Sequence, residues 1–222
     1  MATFERIESV IRGLRRGGPS NTADFNISLN EGNEQIVAMG KLPFAEMTRL
    51  GDGWTAQTAT PFAPIAAVPS TTARLELFNN SSTRSMVVAD LFAFQLLSTA
   101  ATQTYSVWAQ VSTSKAAPTN TALVVASTCG KDAYTTTAGS PLLTGVDTTV
   151  VANGWRPYGN VQAWGTAAAT PGNGWSSEVH GKLIVPPKRS LCIAVAGSIA
   201  TASSFHCGAT FYWDHVTVEG VG

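Results

Sequence analysis

The sequence predicts an all-β fold, a jelly-roll-like two-sheet β-sandwich with a short N-terminal amphipathic helix, and three observations carry that prediction. From residue 64 to 219 the chain is a succession of segments rich in Val, Thr, Phe, Tyr and Trp, separated by clusters of Gly, Pro, Asn and Ser. In Arg74–Phe78 and Tyr105–Val111 apolar and polar residues alternate, as expected of strands with one packed and one wet face. After Gly18 no helical period returns and no repeat of fixed length appears, which disfavours propellers and β-helices.

Taken in order, Phe4, Ile7, Val10, Ile11 and Leu14 recur at spacings of three and four, placing them on one face of a helix over 4–16. Thr3 is available as its N-cap and Gly17-Gly18-Pro19 as its stop. Glu5 and Glu8 near the start and Arg12, Arg15 and Arg16 near the end complement the helix dipole. Helix stability explains those arginines; docking on an acidic partner surface and contact with nucleic acid are the alternatives. Strands are expected at about 64–68, 73–79, 85–97, 103–112, 122–127, 142–151, 182–186, 190–197 and 205–219. Met86–Leu97 is apolar at nearly every position. Such a strand is either central and covered on both faces or buried at a subunit contact, and the second account is preferred, with Phe92, Phe94 and Leu96 as oligomer contacts. Nine or ten strands with long crossings favour a jelly roll over an immunoglobulin arrangement.

Composition narrows the function. Of 222 residues 44% are hydrophobic, enough for a sizeable core, so disorder is excluded. Only 13% are charged, against about a quarter in an average domain; 27 Thr and 19 Ser wet the surface instead. The formal net charge is zero, which suits a protein held in an assembly better than a free monomer. It also argues against nucleic-acid coating, which needs excess Lys and Arg. The first 52 residues hold 13 of the 28 charges, so residues 1–52 are read as a helix and charged attachment segment and 53–222 as the sandwich domain. No stretch approaches the roughly 20 apolar residues of a membrane helix, and the N-terminus carries charges where a secretory signal needs an apolar run. Three cysteines are too few for a disulfide scaffold, and synthesis and assembly in a reducing cytoplasm are expected.

Sites of chemistry are sparse. His180, His206 and His215 fit no zinc or nucleophile spacing. His206 and Cys207 are neighbours on a strand and point to opposite faces. Cys192 and Cys207 would lie nearly opposite each other if a hairpin turned between Gly197 and Ser204, so a cross-strand disulfide is conceivable, with two reduced, packed thiols preferred. No nucleophile elbow, phosphate loop, calcium loop or closely spaced acid pair is present. The expectation is therefore no enzyme, no cofactor and no metal. The segment Asn153-Gly-Trp155-Arg-Pro-Tyr158-Gly-Asn, Trp164-Gly and Thr170-Pro-Gly-Asn-Gly-Trp175 reads as a Gly-rich loop holding three of the six tryptophans. Trp155, Tyr158, Trp164 and Trp175 either pin that loop to the sandwich, contact a protein partner, or stack on a glycan.

Gly181-Lys-Leu-Ile-Val-Pro-Pro-Lys-Arg-Ser-Leu-Cys-Ile-Ala-Val-Ala196, a polar turn, and Phe205-His-Cys-Gly-Ala-Thr-Phe-Tyr-Trp-Asp214 resemble the closing hairpin of small β-sandwich structural proteins of tailed bacteriophages. Arg74-Leu-Glu-Leu-Phe-Asn-Asn-Ser-Ser82 with the strand from Ser85 resembles their opening hairpin. That group includes head decoration, or cement, proteins. The resemblance implies a virion protein on the capsid surface, a homotrimer that binds the major capsid protein and ties neighbouring subunits together, with no nucleic-acid or membrane partner. Phe4, Ile7, Ile11, Leu14, Arg12, Arg15 and Arg16 would then make the capsid attachment. A carbohydrate-binding jelly roll of a phage tail or fibre is the alternative; a coat protein and a glycoside hydrolase rank lower.

Overall fold

The computed structural model describes residues 43–98, 103–113, 116–119, 124–130, 142–145, 148–151, 154–163, 174–179, 182–197 and 203–214. The expected helix over 4–16 therefore lies outside the described residues. By its contacts, one unit runs from Lys41 to Gly222, so the sandwich unit begins earlier than the boundary drawn after residue 52. The cause is a helix, α1 (Pro43–Leu50), that the sequence reading missed. Two turns are too short for a periodic signal, although its end signals are present: Pro43 opens it and Arg49 sits in its last turn. Gly51 closes it at φ 81°, with its N–H donating to Thr48 O and that of Asp52 to Met47 O, a left-handed cap that glycine adopts without steric cost. Phe44 of α1 packs on Tyr212, with ring centroids 6.1 Å apart.

Among the described residues thirteen strands follow: β1 (Gly53–Gln57), β2 (Thr72–Ala73), β3 (Leu75–Asn79), β4 (Ser85–Ser98), β5 (Gln103–Ser112), β6 (Val124–Ser127), β7 (Leu142–Gly145), β8 (Thr148–Thr149), β9 (Arg156–Ala163), β10 (Gly174–Glu178), β11 (Ile184–Val185), β12 (Ser190–Gly197) and β13 (Ser203–Asp214). One sheet has the order β10-β4-β13-β1-β6, with β11 also paired to β4; the other has the order β7-β3-β12-β5-β9, and β2 and β8 form a separate ribbon. Removing the short or flanking strands leaves β1-β13-β4-β10 facing β3-β12-β5-β9, all antiparallel. That is the jelly-roll strand order.

This topology corrects several sequence expectations. The pairs β3/β4 and β12/β13 are not hairpins, because each pair divides between the two sheets. Asn79 and Ser81 build the first crossing: the Asn79 amide donates to Arg84 O and Val185 O, and Ser81 Oγ accepts from the Thr83 and Arg84 N–H groups. Cys192 and Cys207 consequently stand in opposite sheets as free thiols. Burial pushes both well above the ordinary thiol range, which leaves them protonated and unreactive. Residues 64–68 are not a strand. Pro61, Pro64 and Pro69 remove ladder donors there, and only isolated bridges remain, Phe62 to Phe205 and Ile65 to Ala196. The expected strand 142–151 is split into β7 and β8. Strands β1, β9 and β10, in contrast, form where connections were expected.

The core lies between the sheets. Leu75, Leu77, Leu191, Ile193 and Val195 enter it from one side and Met86, Leu91, Phe205, Phe211 and Trp213 from the other. Strand β12 is buried on both faces, since Cys192 packs outward under Ala73, Val150 and Trp155. Among the described residues no helix is long and apolar enough to cross a membrane.

Candidate functional site on the outer face of the six-stranded sheet

Strand β4 is central in its sheet, with β13 on one side and β10 and β11 on the other. Its inward residues Met86, Val88, Leu91 and Ala93 fill the core. The outer face differs along its length. Val87 is buried at the end where Tyr212, its cross-strand partner, carries the α1 aromatic Phe44. Further along, Phe92 is half-buried and Phe94 is 48% exposed, one of only four large exposed hydrophobics among the described residues. The strand is therefore not covered on both faces along its whole length, because Phe94 is left exposed on the outer one. It is central, and it also presents apolar surface outward.

Pairing registers place three rows across this open region. Glu178, Asp90, Thr210 and Thr55 stand side by side; Ser176, Phe92, Gly208 and Gln57 form the next row; and Gly174, Phe94 and His206 the third. The two rings lean in opposite directions, each over a glycine. A methyl group at Gly208 would collide with the Phe92 ring and the Ala56 carbonyl, and one at Gly174 with the Phe94 ring. The ring centroids are 6.0 Å apart at 54°. His206 closes the row by sharing Nδ1 with Thr58, 2.8 Å from its carbonyl oxygen and 3.0 Å from Oγ1. Cys207 turns into the core, so the expected opposition of these neighbours holds.

Gln57, Asp90, Phe92, Phe94, Ser176 and Glu178 line a shallow cavity of about 440 Å³. Asp90 and Glu178 are direct cross-strand partners, a placement that is unfavourable for like charges. Burial raises the Asp90 carboxyl above its usual range, the Thr210 hydrogen bond lowers it, and the Glu178 charge raises it again. Stability therefore falls as pH rises from the ordinary aspartate value of 3.8 through the raised folded value, because the folded protein holds the proton more tightly than the unfolded chain. Asp90→Asn keeps an acceptor for Thr210 and removes the charge. At pH 7 it should be more stable than wild type by up to about 1 kcal/mol, with the advantage vanishing below pH 3.8; urea midpoints across pH check this.

The aromatic segment proposed as a loop is rebuilt as two strands on different sheets. β9 pairs with β5 and β10 with β4, at corresponding edges of the sandwich. Trp155 packs on Ala73, Val150 and Cys192 and donates from Nε1 to Ser70 O at 2.8 Å. Tyr158 and Trp175 pack against the main core, and the Trp175 indole lies over Gly159. Three of the four aromatics are thus engaged in packing, with Trp155 in a cluster apart from Tyr158 and Trp175. Trp164 and the attachment residues Phe4, Ile7, Ile11, Arg12, Leu14, Arg15 and Arg16 lie outside the described residues. Leu96 is half-buried at an irregularity in the β4–β13 register.

Sequence reasoning singled out Phe92 and Phe94 but missed Gln57, Asp90, Ser176 and Glu178. The i, i+2 spacing of Asp90, Phe92 and Phe94 was a usable signal. Reading 174–178 as loop hid the other carboxylate. Among the described residues no group of three or more His, Cys, Asp or Glu side chains is placed to hold a metal ion. The open floor of aromatic edges beside two carboxylates suits binding of an extended surface or chain segment. Comparison with protein-family models, curated proteins and solved structures finds no match to this chain.

Proposed function

We propose that this chain is a virion structural protein of the head decoration kind, a non-catalytic jelly roll that binds the outside of a phage capsid and stabilises it by bridging subunits. Its partners in this reading are the major capsid protein and further copies of itself, as a homotrimer. The observation that carries it is the Phe92–Phe94 strip. A sheet face otherwise wetted by Thr55, Gln57, Ser176 and Thr210 leaves a large aromatic side chain 48% exposed beside a second ring, as expected of a surface completed by a protein neighbour. The neutral, Thr- and Ser-rich composition fits the same setting. A protein that binds only the assembled shell stabilises it by linkage, and several linked contacts multiply modest affinities.

The glycan-binding alternative has less support, because Trp155, Tyr158 and Trp175 are engaged in packing. In co-sedimentation with empty capsids, deletion of residues 1–20 should reduce occupancy about tenfold or more through lost multivalency, while far-ultraviolet circular dichroism stays that of the β fold. Unchanged occupancy would remove the N-terminal segment from the attachment. Light scattering that finds the wild-type chain monomeric at all concentrations, together with no capsid binding, would overturn the reading as a whole.

A further inference from the structure

We infer that His206 makes assembly through the Phe92–Phe94 strip depend on pH, the strip being covered by a second copy of this chain only while the imidazole is neutral. The inference rests on the assembly reading above and names the regulation of the same surface. His206 is the direct cross-strand partner of Phe94, the ring left 48% exposed, and is itself half-buried. Its tautomer follows from its bonds. Nδ1 lies 2.8 Å from the Thr58 carbonyl oxygen, which can only accept, so Nδ1 carries a hydrogen in both charge states of the ring. Thr58 is fully buried, and its Oγ1 accepts from the Cys207 N–H at 3.4 Å, so this end of the ring is held from inside the fold. The titrating proton is therefore gained and lost at Nε2, a nitrogen that makes no hydrogen bond to the described residues.

Nothing close by compensates an imidazolium at this place. Phe94 and Gly174 share its row, and Ser176, Phe92, Gly208 and Gln57 make the next one, all uncharged. Asp90 on β4 and Glu178 on β10 stand four residues further along their strands, about 13 Å at the rise of a strand. That exceeds the screening length of about 8 Å in physiological salt. Beyond Thr58, Phe62 carries the Arg74 guanidinium 5.9 Å from its ring centre, a cation that offsets no other cation. Cys207 faces the core, where burial keeps its thiol protonated. While the strip is open, water solvates a charge on His206. Once a second copy covers Phe94, the imidazole beside it loses that water, and a charge left without a counter-ion is disfavoured. Another copy suits the strip because the formal net charge of the chain is zero, so copies meet without long-range repulsion. Imidazoles change charge between about pH 5 and 8. Assembly at the acidic end of that range must first strip a proton from His206, and it is lost as pH falls.

Light scattering of the full-length chain from about pH 8 down to about pH 5.5 tests this. The wild-type association constant should fall by about tenfold per pH unit for each covered His206 once the imidazole charges. His206→Gln has an amide that can donate to Thr58 O but takes up no proton, so it should stay assembled across the range. His206→Lys is charged throughout and should be weakened even at the upper end. Far-ultraviolet circular dichroism at each pH checks that both variants keep the β fold. Two further backgrounds isolate the effect. His180→Gln with His215→Gln removes the other two histidines and should leave the pH dependence in place. Asp90→Asn removes a carboxyl already raised by burial, whose protonation acts in the opposite direction by discharging the strip as pH falls. An oligomer indifferent to pH, a pH dependence unchanged in His206→Gln, or one abolished by the other two histidine changes would overturn the inference while leaving the assembly reading standing. A chain monomeric at every pH would strike the assembly reading and this inference with it.

Discussion

Replacing Phe211 with alanine is expected to lower folding stability by about 3–5 kcal/mol, the largest loss from any single truncation considered. The ring is fully buried on β13, in the middle of its sheet, and meets Trp213 edge to face with centroids 5.7 Å apart at 84°. Strand β13 is held by β4 on one side and β1 on the other, so backbone collapse into the resulting void is restrained. Poor collapse is what moves such a substitution toward the upper end of its range. Domains of this kind have about 5–15 kcal/mol to lose. Urea unfolding followed by tryptophan fluorescence should show a midpoint lowered by about a fifth or more of its wild-type value, with an unchanged slope. A loss below about 1 kcal/mol would mean that the sheets repack around the gap.

The second large effect is expected at a residue with no side chain. Gly208→Val should cost about 1–3 kcal/mol or more by overpacking, because its Cβ would run into the Ala56 carbonyl oxygen as well as the Phe92 ring. The ring can rotate away, but the carbonyl belongs to the ladder between β1 and β13 and has no such freedom. Displacing Phe92 also deforms the groove, so under the proposed assembly reading this variant should lose self-association together with stability. Comparing its thermal midpoint with its light-scattering mass checks both effects. Phe92→Leu with wild-type glycine is the partner measurement: it removes the collision's aromatic partner without crowding the backbone, and should leave stability nearly intact.

The jelly roll's long strands were legible because their alternation is strong. Strands β4, β5 and β12 fall within a residue or so of the expected spans, and Tyr105, Val107 and Ala109 face the core on one phase as the pattern implies. Strands β9 and β10 were illegible for a definite reason. Arg156-Pro-Tyr-Gly-Asn160 contains the residues that ordinarily end strands, and β10 is short and mostly polar. Proline and glycine are tolerated there because both are edge strands, and Pro157 lies beside a register shift in the pairing with β5. The candidate site divides along the same line. Phe92 and Phe94 stood out from composition alone, whereas Glu178 became part of the site only when β10 took its place beside β4.

What the sequence by itself determined is the all-β class, the sparse charge, the packed thiols and the apolar character of β4, since each follows from local residue type and a period of two. Only the tertiary structure decided which sheet each strand joins, that consecutive strands cross between sheets where hairpins were expected, and that two carboxylates 88 positions apart become neighbours. Local patterning sets the face a side chain occupies along its own strand. Which strand lies next to it depends on burying both sheet faces at once, an energy that belongs to the whole sandwich and to no segment of it.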